Sequence, residues 1–231
     1  MTDQDNLFSA LYLVWKGLHR LGVWDLARGD PGSRPGASYD QIRNNYIDDL
    51  AGAMNEYLNG SGSITRPRNM ARRAILTAFD LAFYTGYVDG GGSVSEMLPE
   101  DRDWFLARTE QEIGFVDMLF QNLKAARAEA EDTGESLDSV VSRHASGYAR
   151  TLDAVYSEGK LRGSRNIMLA LDGPDGQESC KTCQRLKGKR HSARWWIDRG
   201  LVPEQGNANY DCGGWQCQHR LFDDQGDQYT P

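Results

Sequence analysis

The sequence predicts a mainly α protein, with a helical N-terminal domain over residues 1–165 and a small α+β or irregular module over 166–231. Three observations carry this expectation. Apolar residues recur at helical spacing in five stretches, all of them before Gly163. Beyond that point the chain becomes rich in glycine and tryptophan and shows no long periodic run. All four cysteines, Cys180, Cys183, Cys212 and Cys217, lie in this last part.

The elements follow in order. Leu7, Leu11, Val14 and Leu18 mark a first helix, and the glycine- and proline-rich stretch 29–36 breaks it. Ser38 and Gln41 have the spacing of a capping box. The helix they open carries the stripe Ile42, Tyr46, Leu50, Ala53 and Tyr57 and stops at 59–63, an Asn-Gly-Ser-Gly-Ser run. A third helix is expected over 67–87. Its wide face includes Ala71, Ala74, Ile75, Ala78, Phe79, Ala82 and Phe83, where alanines permit close approach of a neighbour. Gly90, Gly91 and Gly92 follow a helix rather than a strand, so they read as a linker and not a phosphate cradle.

A fourth helix over 99–132 has Ile113, Val116, Phe120 and Leu123 as its stripe, and its charged, alanine-rich last turns should be exposed. A fifth, over 137–161, carries Val140, Val141, His144, Tyr148, Leu152, Val155 and Tyr156. No carboxylate or nucleophile motif accompanies His144, which reads as a partly buried core histidine. Residues 166–172 are a short apolar run flanked by turn formers, hence a strand. A turn at 173–176 and one or two helical turns at 194–197 complete the pattern, and the acidic stretch 223–227 is expected to fray.

With 231 residues and 39% apolar composition the chain can bury a core, which excludes wholesale disorder. Its formal charge is −7, which argues against a dedicated duplex-binding domain. No apolar run reaches the ~18–20 residues that span a bilayer. The start has no basic segment before its apolar part and does not read as a signal peptide, so synthesis in a cytoplasm is expected.

Clustered cysteines in such a chain favour a metal over a disulfide framework. A module of about 65 residues also buries little surface and needs a crosslink to hold it. Cys180-Lys-Thr-Cys183 can converge two thiolates on one ion, and a second pair on a distant segment completes a tetrahedral structural zinc site. The second pair, Cys212 and Cys217, has a longer spacing, and Gly213 and Gly214 can supply the bend this requires. Lys181, Arg185, Lys187, Lys189 and Arg190 should lower the thiol pKa values. His191 and His219 are further candidate ligands, with His219 favoured because it lies two residues from Cys217. A redox C-x-x-C is the rival reading. It is disfavoured because the motif falls in a turn-rich segment rather than at the start of a helix after a strand. Trp195, Trp196 and Trp215 are expected to pack around the metal site, although base stacking is an alternative in a stretch that is locally basic from Lys181 to Arg199.

Asp172, the run Cys180-Lys-Thr-Cys183-Gln-Arg-Leu186-Lys-Gly188-Lys, Pro203 and the run Cys212-Gly-Gly-Trp-Gln-Cys217-Gln-His219-Arg-Leu together resemble the C-terminal module of tailed-phage head-morphogenesis, or minor head, proteins. The stretch from Tyr148 to Gly159 is similar to the long helix preceding their terminal strand. The family's H-x-x-C-x-C is here C-x4-C-x-H. Cys217 and His219 match its C-x-C pair, and Cys212 stands near the family histidine, offset by two positions. The clustering of all four cysteines points to one zinc held by Cys180, Cys183 and two of Cys212, Cys217 and His219. The resemblance implies a virion protein of the head or portal vertex, made in the host cytoplasm and present in few copies. Its partners would be portal and capsid proteins, with contact to packaged DNA left open. It implies no enzyme.

The residues agree on the last point. They contain no G-x-S-x-G, Walker A or H-E-x-x-H motif, and the four histidines offer no His-rich centre. A nucleic-acid-binding zinc module on a helical domain is the main alternative, and a zinc-stapled nuclease a weaker one.

Overall fold

A computed structural model of the chain describes residues 13, 16, 38–60, 63–173, 179–203, 207–213 and 218–230. The protein is mainly helical, 69% in helix, with six α-helices and a small three-stranded sheet among the described residues. The elements are α1 (Tyr39–Asn59), α2 (Thr65–Asp89), a 3-10 turn (Val94–Glu96), α3 (Pro99–Thr133), α4 (Leu137–Gly163), β1 (Met168–Asp172), α5 (Lys181–Leu186), β2 (Arg190–Ser192), α6 (Ala193–Asp198) and β3 (Arg220–Phe222). Of the expected first helix only Leu13 and Lys16 are described, and both are helical. The rest of that helix, the breaker stretch 29–36 and most of the turn 173–176 lie outside the described residues.

The chain divides into two compact units. One holds residues up to Ala82 and Met97–Leu152, and the other holds Phe83–Glu96 and Asp153–Pro231. The division cuts through α2 and α4.

The first unit is built from helices whose starts and stops are written locally. Ser38 Oγ accepts the Gln41 N–H at 3.3 Å, and Gln41 Oε1 accepts the Ser38 N–H at 2.9 Å, so the expected capping box opens α1. At the other end Arg127 Nη1 donates to the Leu58 carbonyl at 2.8 Å and satisfies one of the terminal acceptors. Pro99 occupies the first turn of α3, where its missing N–H costs nothing. Gly134, at φ 76°, takes the left-handed conformation that ends α3.

The stripes pack as their spacing demands. Ile42, Tyr46, Leu50 and Ala53 of α1 are buried, as are Ala71, Ala74, Ile75, Ala78 and Phe79 of α2. Tyr46 meets Phe79 edge-on at 6.1 Å, and the half-buried Tyr57 meets Phe120 edge-on at 5.0 Å. On α3 the buried apolar set is Phe105, Leu106, Val116, Leu119, Phe120, Leu123 and Ala130, the last within the turns expected to be exposed, with Ile113 only half-buried. His144 is half-buried on α4, and burial followed by the Arg143 charge holds it below the usual histidine value.

One buried acid has a measurable consequence. Glu112 is 4% exposed, and its nearest cation, Arg108 Nη2, is 4.0 Å away. Burial raises its pKa above 4.5 and Arg108 only partly opposes this. Burial, and then the Glu112 charge, push Tyr148 up to about 12. The folded state therefore binds the Glu112 proton more tightly than the unfolded chain does. This contribution to stability is present below the unfolded value and is lost as pH rises through the folded one. Glu112→Gln should be neutral near pH 4 and stabilising at pH 7, on the order of 1 kcal/mol. Urea unfolding at the two pH values checks this, and an equal effect at both would contradict it.

In the second unit the sheet order is β2-β1-β3, with both pairings antiparallel. Leu169 pairs with His191 and Leu171 with Leu221 across the central strand. Leu169 and Leu171 face one side of β1 and are buried with Leu221, Leu186, Trp196, Tyr210 and Tyr229 in a single apolar cluster. Trp196 Nε1 donates to the Leu169 carbonyl at 3.2 Å, which satisfies the indole inside that cluster.

The acidic stretch does not fray. The N–H groups of Gln225 and Asp227 both donate to Asp223 Oδ1 at 2.9 Å, and the Tyr229 N–H donates to the Leu221 carbonyl at 2.8 Å. Asp223 thus caps a turn that folds residues 223–230 back along β3 and buries the Tyr229 ring. The expectation from charge alone missed the aromatic anchor two residues beyond the acidic run.

The ends of α2 and α4 run side by side in this unit at backbone contact. A Cβ on Gly86 would lie 2.1 Å from the Tyr156 carbonyl oxygen, and one on Gly90 2.1 Å from that of Lys160. Reciprocally, Cβ atoms on Gly159 and Gly163 would lie 2.3 and 2.0 Å from the carbonyl oxygens of Phe83 and Tyr87. Residue numbers rise together along both segments, so the helices run in the same direction. Two glycines four apart on each let the backbones touch.

Candidate metal centre

The C-x-x-C motif is placed by the end of the sheet. After β1 the chain reaches Cys180, which caps α5. Its sulfur accepts the Cys183 N–H at 3.4 Å, in the role a serine or aspartate oxygen usually plays. The motif therefore does stand at the start of a helix that follows a strand, contrary to the turn expected from sequence. A six-residue helix is too short to show a period, and cysteine is not a residue that announces a cap.

The distant cysteine segment is tied to this helix by Asp211. The Thr182 N–H and hydroxyl both donate to Asp211 Oδ2, at 2.8 and 2.9 Å. These bonds hold Asp211 below the usual carboxylate range. Cys212 follows directly, and Gly213 takes the bend at φ 61° that the long spacing calls for. Gly214, Trp215 and Cys217 lie outside the described residues.

Three thiols come together as a result. Burial works against a thiolate at Cys180. However, the backbone N–H and thiol of Cys183, and then those of Cys212, are directed at its sulfur and hold its pKa below the ordinary thiol value. The lowering comes chiefly from these hydrogen bonds and not from the neighbouring lysines and arginines to which the sequence pointed. Lys187 instead donates to the Gly173 carbonyl at 2.7 Å and pairs with Asp172. Cys183 is 1% exposed within the apolar cluster, against which the half-buried Cys180 and Cys212 also pack.

The two histidines have different surroundings. His219 is buried just before β3, with its ring against Gly173: a Cβ at Gly173 would be 2.9 Å from His219 Cγ. His191 lies on β2 and stacks on Trp195 at 3.6 Å. Trp196 is fully buried in the core and Trp195 half-buried.

The donor chemistry fits a soft divalent ion. Thiols from two chain segments meet at one sulfur that is already disposed to ionise, which is what metal-thiolate bonding requires. The placing of Cys180 at a helix start also removes the ground on which the sequence disfavoured a redox C-x-x-C. Among the described residues no group of three or more His, Cys, Asp or Glu side chains is placed so that it could hold a metal ion. Set against protein-family models, curated proteins and solved structures, the chain finds no match.

Proposed function

We propose that the chain is a non-enzymatic structural protein of a tailed-phage head, akin to the head-morphogenesis or minor head proteins, acting through contacts to portal or capsid proteins. The observation that carries this reading is the gathering of Cys180, Cys183 and Cys212 at one apolar cluster, with the Thr182–Asp211 bonds joining their two segments, within the stretch that resembles the family's module. In this reading Cys180 and Cys183, with two of Cys212, Cys217 and His219, hold one structural zinc.

The ion's part is a crosslink between loops. It binds α5 to the segment after Asp211, where the apolar cluster is small and the chain otherwise has only short elements to rely on. A rigid module of this kind can present a fixed docking surface. The helical unit supplies a second surface, including the exposed Phe115 and Met118 of α3. No helix among the described residues is long and apolar enough to cross a membrane.

Mass spectrometry of purified virions and of assembly intermediates tests the reading. The protein is expected in one or both, at few copies. Its absence from both, or a robust metal-dependent hydrolase activity of the purified chain, overturns it.

A further inference from the structure

An open cleft of about 590 Å³ lies in the second unit beside the edge strand β2. Four cations line it: Arg185 from α5, Lys189 and Arg190 around the start of β2, and Arg199 after α6. From Lys181 to Arg199 the chain carries seven lysines and arginines and one carboxylate, Asp198, in a protein whose overall charge is −7. Four of these seven cations meet at the cleft. Among the described residues no carboxylate lies within 4.0 Å of the Arg185, Lys189 or Arg199 head, although the Arg185 charge acts on Asp211. Arg190 is engaged by Asp224, and Arg194, which does not line the cleft, by Asp198.

The cleft also has a built wall. His191 stacks on Trp195 with ring centroids 3.6 Å apart, and the Arg199 guanidinium carbon lies over the same indole at 4.4 Å. Both groups pack against the indole of Trp195, which places the Arg199 head beside the cleft on an aromatic support. Leu186 and Leu201 add apolar surface beside the cations.

We infer that this cleft binds the phosphodiester backbone of a single-stranded nucleic acid. The site offers fixed cations next to aromatic and apolar surface, the combination by which strands are held without sequence preference. It is an open recess whose cations come from α5, β2 and the end of α6, and no glycine-rich backbone nest lines it, so a strand suits it better than a free triphosphate. Its volume falls within the ~300–1,000 Å³ of small-ligand clefts, which admits one or two nucleotide units and not the body of a duplex. The inference is independent of the assembly role proposed above.

The test is fluorescence anisotropy of the full chain with a labelled oligothymidylate 20-mer, with a 20-base-pair duplex and with ATP as competitors. Saturable binding to the strand is expected, with log K falling against log salt with a slope of about −1.4, at about −0.7 for each of two phosphates neutralised. Affinity should then drop roughly sevenfold between 50 and 200 mM salt. Arg185→Gln with Lys189→Gln should weaken binding about tenfold or more at 50 mM salt and bring the slope to about −0.7. Arg194→Gln, exposed and outside the cleft, should stay within about threefold. Asp224→Asn should tighten binding by releasing Arg190, a gain that no folding defect can imitate. Absence of saturable binding at 50 mM salt, equal loss in Arg194→Gln and the double variant, or equal affinity for duplex or ATP would each overturn the assignment.

Discussion

Gly163→Ala should destabilise the second unit by about 3 kcal/mol or more, although alanine is the better helix former. The added methyl would sit 2.0 Å from the Tyr87 carbonyl oxygen and 2.9 Å from its carbon. These are backbone atoms of a neighbouring helix, so no rotamer change can relieve the overlap, and the two helices must separate. Separation also disturbs the Ser164 hydroxyl, which donates to the Gly90 carbonyl at 2.9 Å from the same contact. Gly86→Ala should behave alike, because its methyl would meet the Tyr156 carbonyl oxygen at 2.1 Å. The comparison that makes this specific is a second set of helical glycines. Gly52, Gly114 and Gly147 have nothing within 4 Å of an added Cβ, and alanine there should stabilise by up to about 1 kcal/mol through helix propensity alone. Thermal unfolding of the five variants should therefore split into two groups of opposite sign. A stabilised Gly163→Ala would show that the helices do not touch as described.

Removing the crosslink should have the other large effect. If the proposed zinc is present, purified protein contains about one zinc per chain, and Cys180→Ser with Cys183→Ser should bring this close to zero. The apolar cluster around Leu169, Leu171 and Trp196 should then lose its fixed packing, because a metal of this kind supplies folding free energy directly and the module has little else to replace it. Chelation of the unaltered protein should reproduce the loss. This control matters because Cys183 is buried in the cluster and a serine there also places a hydroxyl among apolar side chains. Most helical circular dichroism should survive, since the core of the first unit contains none of the cysteines. A fully folded, metal-free protein whose thiols are free or oxidised would remove the zinc, and with it the rigidity argued for the docking module.

The helices of the first unit were legible in the sequence because their signals are local. A 3.6-residue apolar period, a serine followed three residues on by glutamine, and a glycine past the last turn each act within a few residues of chain. They fixed α1 to within a residue at its start and the ends of α2, α3 and α4 to within two or three. The gathering of Cys180, Cys183 and Cys212 in one module, and a bend at Gly213, could also be read from the sequence.

Tertiary structure decided what spacing could not. Gly86, Gly90, Gly159 and Gly163 show their four-residue intervals in the sequence, yet nothing local says that one pair faces the other. Cys180 acts as a cap only because Cys183 turns its N–H back, and Cys212 reaches the same sulfur only because Asp211 is held by Thr182. Acidity predicted a loose tail, and the burial of Tyr229 overrode it. The basic run from Lys181 to Arg199 was visible as composition, but the placing of four of its cations along one cleft, with His191 and Arg199 packed on Trp195, depends on how α5, β2 and α6 pack. Local rules bind residues a few positions apart, whereas the glycine contacts, the Thr182–Asp211 bonds and the return of Tyr229 to Leu221 join residues from about eight to seventy-six positions apart, and only burial of the shared core selects among such pairings.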